Sequence, residues 1–227
     1  MPYLKEKSIK FAFDEWAPRN ARVIQSSTAA LVNPMLNTLT DALVYHEFFR
    51  HSDMVALAVA TGGMMTLASD THGEAVGYRL DGLLIKLFHD RFAGTLPVAV
   101  TGNSPQHTIK GTVAVDLSAR PSGSPTYPLD IFAALSADKK TLAISVVNPT
   151  ETAQDCDLKL TGFQPVGGAK FWQLTAPPGK PSVPTGFGPG AFAGPPATMA
   201  EGSLSQAPGR VTLPPASISV YELAVKW

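Results

Sequence analysis

The sequence predicts an α/β unit over residues 1–94 followed by an all-β sandwich or jelly roll over 95–227. Three observations carry this: strand and helix signals alternate in the first part, short alternating runs replace them from about residue 95, and turn residues separate those runs. Composition agrees. With 227 residues, 44% hydrophobic and 16% charged, the chain can bury a sizeable core.

The first strand is expected over 8–16, where Ile9, Phe11 and Phe13 share one face and Asp14-Glu15-Trp16 closes the run before Pro18. A polar loop over 19–37 leads to a helix capped by Thr38 or Thr40. Leu39, Ala42, Leu43, Phe48 and Phe49 supply its apolar positions, and Arg50-His51-Ser52-Asp53 marks its end. Residues 54–60 form a nearly continuous apolar run ending at Gly62-Gly63, as expected of a parallel strand covered on both faces. Helical spacing returns over 78–92 in Leu80, Leu83, Leu84, Leu87 and Phe88, with Arg91 near the end. This β-α-β-α order is the unit of a parallel barrel or an open sheet.

Eight strands are expected beyond it, over 96–100, 108–117, 129–136, 141–148, 155–161, 169–174, 210–213 and 218–225. Residues 121–125 read as a loop tip, and the Pro-, Gly- and Ala-rich stretch 177–208 as a long irregular surface loop.

Eighteen basic and 18 acidic side chains cancel, so no electrostatic footprint for nucleic acid or an anionic membrane is expected, and a neutral ligand such as a sugar fits best. No apolar run approaches the roughly 20 residues of a membrane helix, and the polar N-terminus lacks the apolar stretch of a signal peptide. Cys156 is the single cysteine; without a partner for an intramolecular disulfide, it is expected to be a buried thiol. His46, His51, His72, His89 and His107 show no metal spacing, and His46-Glu47 with His51 and Asp53 reads as a capping and surface-pairing cluster. The glycine-rich segments lack the context of a phosphate loop, and no serine sits in a nucleophile elbow. Neither a metal nor an organic cofactor is expected.

Asp14-Glu15-Trp16 is the leading candidate site. Parallel strands project their last side chains into a common mouth, and an aromatic beside a carboxylate suits a sugar, whose apolar face stacks on a ring. The same residues also fit a solvated strand end, with Trp16 packing under the following loop.

Phe11-Ala12-Phe13-Asp14-Glu15-Trp16 resembles the strand of glycoside hydrolase family 51, the α-L-arabinofuranosidases, whose pattern here is an apolar run followed by Asp-Glu-Trp. Asp41-Ala42-Leu43 with Phe48-Phe49-Arg50-His51-Ser52-Asp53 is similar to the family's next helix, and the stretches 143–149 and 213–221 to its C-terminal β-sandwich. The resemblance implies the C-terminal part of a (β/α)8 barrel followed by a jelly-roll-like β-sandwich. It implies a retaining glycosidase acting on α-L-arabinofuranosyl or related linkages of plant polysaccharides, with Glu15 as nucleophile and Trp16 in the substrate pocket. The family's acid/base glutamate follows an asparagine, and no Asn-Glu pair occurs in this chain. The chain alone is therefore expected to have little or no activity, and its unfinished sheet to self-associate or pair with a chain supplying the rest of the barrel. Ala17-Pro18-Arg19, Gly62 and Met65 depart from the family pattern at positions that face the sugar. The alternative is a non-catalytic carbohydrate-binding or interaction module, with Phe187 and Phe192 presented from a loop alongside Trp172 and Trp227.

Overall fold

The computed structural model describes residues 2–16, 35–60, 66–103, 107–109, 120–122, 125–176 and 196–226. A short helix α1 (Pro2–Glu6) precedes strand β1 (Phe11–Trp16), which pairs in parallel with β2 (Val55–Ala60); helix α2 (Met35–Arg50) lies between them in sequence. A hairpin of β3 (Leu67–Ser69) and β4 (Ala75–Tyr78) follows, then helix α3 (Leu80–Phe92). The remaining strands are β5 (Leu96–Pro97), β6 (His107–Ile109), β7 (Arg120–Ser122), β8 (Asp130–Leu135), β9 (Thr141–Asn148), β10 (Gln154–Asp157), β11 (Gln164–Thr175), β12 (Ala200–Leu204), β13 (Arg210–Leu213) and β14 (Ser217–Lys226). Strand thus predominates over helix.

The centre is a six-stranded antiparallel sheet in the order β12-β11-β14-β9-β8-β5. Its strands are apolar on both faces, and their period of two sorts the side chains between two cores. Phe132, Ala134, Ala143, Val147, Trp172, Leu174, Ile218 and Val220 pack on α2 and α3, which contribute Met35, Leu39, Ala42, Leu84, Leu87, Phe88 and Phe92. The opposite rows, among them Ile131, Ile144, Val146, Tyr221 and Leu223, pack with Val211 and Leu213 of the separate β10–β13 pair. Because α2 and α3 share a core with the sheet, whatever α2 holds is tied to the sheet's position.

Helix α3 buries Leu80, Leu84, Leu87, Phe88 and Phe92, the 4-3-1-4 spacing of one helical stripe. It ends with Ala93 N–H donating to His89 O at 3.2 Å, followed by Gly94 at φ +70°, a left-handed position that favours glycine. Gly82 allows a close approach: a Cβ there would stand 2.1 Å from the carbonyl oxygen of Thr66. Gly82→Ala is therefore expected to destabilise the fold by about 1–3 kcal/mol, read as a lower midpoint in urea unfolding.

Several expectations need correction. Helix α2 begins at Met35, one turn before the predicted caps, because Met35 itself is buried under the sheet. Tyr78, expected at the start of the helix 78–92, instead ends β4, which pairs with Leu67–Ser69. Ala200–Leu204, inside the stretch expected to be irregular, pairs with β11 from Ala169 to Gln173, and Pro121 and Ser122, in the loop tip expected over 121–125, belong to β7, which pairs with β6. The run Val55–Ala60 is not covered on both faces: Leu57 is 52% and Val59 43% exposed. Cys156 is a free thiol that is only half-buried, with burial pushing it above its ordinary value. The outer part of the predicted 108–117 strand, Ala17-Pro18-Arg19, Gly62, Met65, Phe187, Phe192 and Trp227 lie outside the described residues.

Candidate active site

Strand β1 steps three residues, from Phe13 to Trp16, while its partner steps only two, from Ala58 to Ala60. Asp14 and Glu15 therefore occupy a bulge, a device that re-aims side chains at strand ends. The bulge lets Phe13 and Trp16 turn to the same helix. Phe13 lies 5.1 Å from the ring of Phe48, and Trp16 meets Phe48 at 5.3 Å and Tyr45 edge-on at 5.0 Å. Glu15 is exposed at the C-terminal end of the strand, while Trp16 is partly buried under α2. The candidate pair is thus divided: the carboxylate faces solvent, and the indole is anchored by packing against the helix.

From Trp16 a chain of rings runs into the core. Tyr45 contacts Phe49 at 6.2 Å and Phe88 at 6.0 Å, and Phe49 contacts Phe132 of β8 at 5.3 Å. Such aromatic pairs each add to the burial of their area.

Polar contacts fix α2 onto the sheet. His46 and Ser145 are each 0% exposed; His46 Nδ1 lies 2.7 Å from Asp130 Oδ2 and Nε2 lies 2.8 Å from Ser145 Oγ. An ionised Asp130 only accepts, so Nδ1 carries the proton and Ser145 donates to Nε2. Arg50 donates to Asp130 Oδ1 at 2.6 Å and to the carbonyl of Ile131 at 2.9 Å. Burial pulls the His46 imidazole below its ordinary value, against the opposing hydrogen bond that it donates to Asp130. Burial alone would raise Asp130; the His46 hydrogen bond and the charges of His46 and Arg50 outweigh it and hold this carboxyl at about 2. The set has the connectivity of a Ser-His-Asp triad, yet no substrate can reach a fully buried hydroxyl, so its role is to lock helix to sheet. The expectation that His46 belongs to a surface cluster is therefore wrong. It lies on the buried stripe of α2 with Met35, Leu39 and Ala42, a 4-3-4 spacing that could have placed it in the core. His51, 3.6 Å from Glu47, does pair at the surface. On α3, Arg91 bridges to Glu222 at 2.9 Å and lies 4.1 Å over the Trp172 ring, a second tie to the sheet.

A second group of acids lies between the N-terminal turns of α2 and α3. Thr38 hydrogen-bonds Asp81, and Asp41 Oδ1 is buried without a hydrogen-bond partner among the described residues. Burial and then the neighbouring Asp81 raise Asp41 from 3.8 to about 7. The folded state binds this proton more tightly than the unfolded chain, so the cost of ionising Asp41 is full above pH 7 and relieved as the pH falls towards 3.8. Asp41→Asn is expected to stabilise the protein at pH 8 by about 1–2 kcal/mol, discounted for partial solvation, with the gain vanishing near pH 4 in pH-resolved thermal melts.

Among the described residues, no group of three or more His, Cys, Asp or Glu side chains is placed to hold a metal ion. No described helix is long and apolar enough to cross a membrane. A shallow groove of about 350 Å³ on the large sheet is lined by Lys170, Ser203 and Glu222 among others, without an aromatic side chain or any residue of β1.

No protein-family profile and no curated protein sequence matches the chain. Solved structures do. The chain is similar to the α-L-arabinofuranosidase of Thermotoga maritima, determined with arabinose, at TM-score 0.61 and 18% identity, over 99% of this chain and 45% of that one. The thermostable family 51 α-L-arabinofuranosidase of Thermotoga petrophila gives TM-score 0.59 and 19% identity over 96% and 44%. A family 30 endoxylanase of Clostridium papyrosolvens gives TM-score 0.53 and 13% identity over 99% and 45%. The chain spans less than half the length of these structures. At such identities the likeness concerns the fold alone: the chain has a fold like that of a part of glycoside hydrolases.

Proposed function

We propose that this chain is part of a retaining glycoside hydrolase acting on α-L-arabinofuranosyl or related linkages of plant polysaccharides. Residues 1–94 close a (β/α)8 barrel, residues 95–227 form its β-sandwich, Glu15 is the nucleophile, and Trp16 shapes the pocket from its anchor on α2. The observation that carries the reading is an exposed Glu15 in a bulge at the C-terminal end of a parallel strand, in a fold like that of glycoside hydrolases. A retaining reaction needs a second carboxyl group about 5 Å from the first to protonate the leaving oxygen and then activate water. That group is assigned to polypeptide outside this chain, since the chain has no Asn-Glu pair.

The test is a mechanism-based arabinofuranosyl inactivator followed by mass spectrometry, on the chain alone and on the product of any longer reading frame containing it. Label on the peptide bearing Glu15 in the longer protein, absent after Glu15→Gln, supports the reading. Hydrolysis with label elsewhere overturns it, and binding to insoluble arabinoxylan without hydrolysis favours a carbohydrate-binding module.

A further inference from the structure

Thr38, Asp41, Tyr45 and Phe48 recur on α2 at a 3-4-3 spacing, a single stripe beside the buried one of Met35, Leu39, Ala42 and His46. The two ends of this stripe face different elements. At its start the fully buried Thr38 hydrogen-bonds Asp81 of α3, and Asp41 stands close enough to Asp81 to feel its charge. At its far end Phe48 packs on Phe13 and Trp16 of β1. Tyr45 lies between them. Its ring meets Trp16 at 5.0 Å with an interplanar angle of 87°, and Phe88 of α3 at 6.0 Å with an angle of 76°, both edge-on. Its hydroxyl is pushed up to about 12 by burial and then by the charges of Asp41 and Asp81, so the phenol senses the acids while the ring bears on the indole.

The acid pair has two states. With a proton, Asp41 is a neutral donor able to hydrogen-bond the carboxylate of Asp81. Without it, two negative charges share a half-buried site between the first turns of α2 and α3, where repulsion is less screened than in water. Facing Asp41 are Asp81 of α3, Arg79 just before that helix, whose charge acts on Asp81, and the Tyr45 hydroxyl of α2 itself. Strand β1, packed on the same stripe, carries Asp14 and Glu15, and β4 ends in Tyr78 before α3. The Thr38 hydrogen bond and Arg79 favour a charge on Asp81, so Asp41 is the member that holds the proton. Repulsion is relieved by parting the two helices at their first turns. Tyr45, whose ring touches both α3 and β1, is where that movement reaches Trp16.

We infer that Tyr45 couples this acid pair to the candidate site: loss of the proton held by Asp41 displaces the Tyr45 ring and with it the indole of Trp16, the chain neighbour of Glu15. Tyr45 is thus a positioning residue, acting on the site through Trp16. The coupling needs no glycosidase chemistry, and its consequence for Glu15 rests on the function proposed above.

The experiment is a series of 1H–15N correlation spectra of the whole chain from pH 5.5 to 8.5. The chain has three tryptophans, and the indole signal lost in Trp16→Phe, or showing cross-peaks to the Tyr45 ring, belongs to Trp16. That signal should move with pH with a midpoint near 7. It should stand still in Asp41→Asn, which keeps the shape and removes the titration. Tyr45→Phe keeps the ring and should keep the response, whereas Tyr45→Leu should abolish it in a chain still folded by far-UV circular dichroism. A Trp16 signal that does not move in the wild type overturns the inference, as does a response that survives Asp41→Asn or Tyr45→Leu. Should Tyr45→Leu fail to fold, the comparison of wild type with Asp41→Asn decides alone. In the longer protein of the labelling test, the rate of labelling at Glu15 should carry the same inflection, absent in Asp41→Asn. Titration of Trp16 without label at Glu15 upholds the coupling and sinks the glycosidase reading; label at Glu15 without titration of Trp16 does the reverse.

Discussion

Asp130→Ala should lower the unfolding free energy by about 3–5 kcal/mol at neutral pH, among the largest losses available to a single substitution in this chain. Among the described residues, Asp130 is the acceptor common to His46 and Arg50. Removing it strands the Nδ1–H of a fully buried imidazole and leaves the partly buried Arg50 guanidinium with the exposed Glu47 in place of its buried counter-charge. Asp130→Asn keeps the shape and an acceptor but loses the charge, and should cost about 1–3 kcal/mol. Chemical denaturation of the three proteins at pH 7 gives this ranking. Changing the pH checks the cause. The folded carboxyl titrates at about 2, below its unfolded value of about 3.9. Its contribution is therefore complete above pH 4 and lost as the pH falls through 2. The buried His46, pulled below its ordinary value, acts in the same direction: below about pH 6.5 the unfolded chain takes up a proton that the folded imidazole resists. Acid should thus destabilise the wild type more steeply than Asp130→Ala between pH 4 and 2. Parallel pH profiles would show that the triad-like set does not hold α2.

The same lock illustrates what could and could not be read from the sequence. The strands 141–148 and 210–213 are legible to the residue because apolar alternation and turn residues bound them on both sides, and the β1-α2-β2 order is legible from the change of period, whereas the β3–β4 hairpin before α3 is not. The residue type of His46 points to the surface, whereas its position on the stripe of Met35, Leu39 and Ala42 puts it in the core. Its partners lie 84 and 99 residues away, a pairing that no local pattern encodes. Ala200-Glu201-Gly202-Ser203-Leu204 contains no β-branched residue and becomes a strand only because the edge of β11 accepts it, a tertiary override of weak propensity. Val55–Ala60 differs in the opposite sense: its composition is that of a buried strand, and nothing in the run itself states that Leu57 and Val59 stay exposed. Of the candidate site, Asp14-Glu15-Trp16 at a strand's end was legible, whereas the bulge that separates an exposed Glu15 from a packed Trp16 depends on register with β2.

Glu15 itself offers the largest expected effect. As the proposed nucleophile it attacks the anomeric carbon while the leaving oxygen takes a proton from the second carboxyl group, giving a covalent glycosyl-enzyme that water then opens. Glu15→Gln preserves size but removes the attacking charge, so on the proposed reading kcat/KM on an aryl arabinofuranoside, measured with the acid/base carboxyl supplied, should fall by roughly three to six powers of ten. A fall of that size could also follow from disrupted packing, so a second measurement is needed to assign the role. Glu15 is exposed and makes none of the ring contacts that anchor Trp16, so Glu15→Ala should leave thermal stability within about 0.5 kcal/mol of wild type. The space it vacates lies on the face of the sugar opposite the leaving group. Azide added to Glu15→Ala should therefore enter from that face, restore part of the rate and release a glycosyl azide of inverted anomeric configuration. Had Glu15 been the acid/base, azide would instead open an intermediate already formed and the product would retain its configuration. An inverted azide thus assigns the nucleophile, a retained one transfers Glu15 to the other half of the reaction, and unchanged turnover in Glu15→Gln removes it from the chemistry.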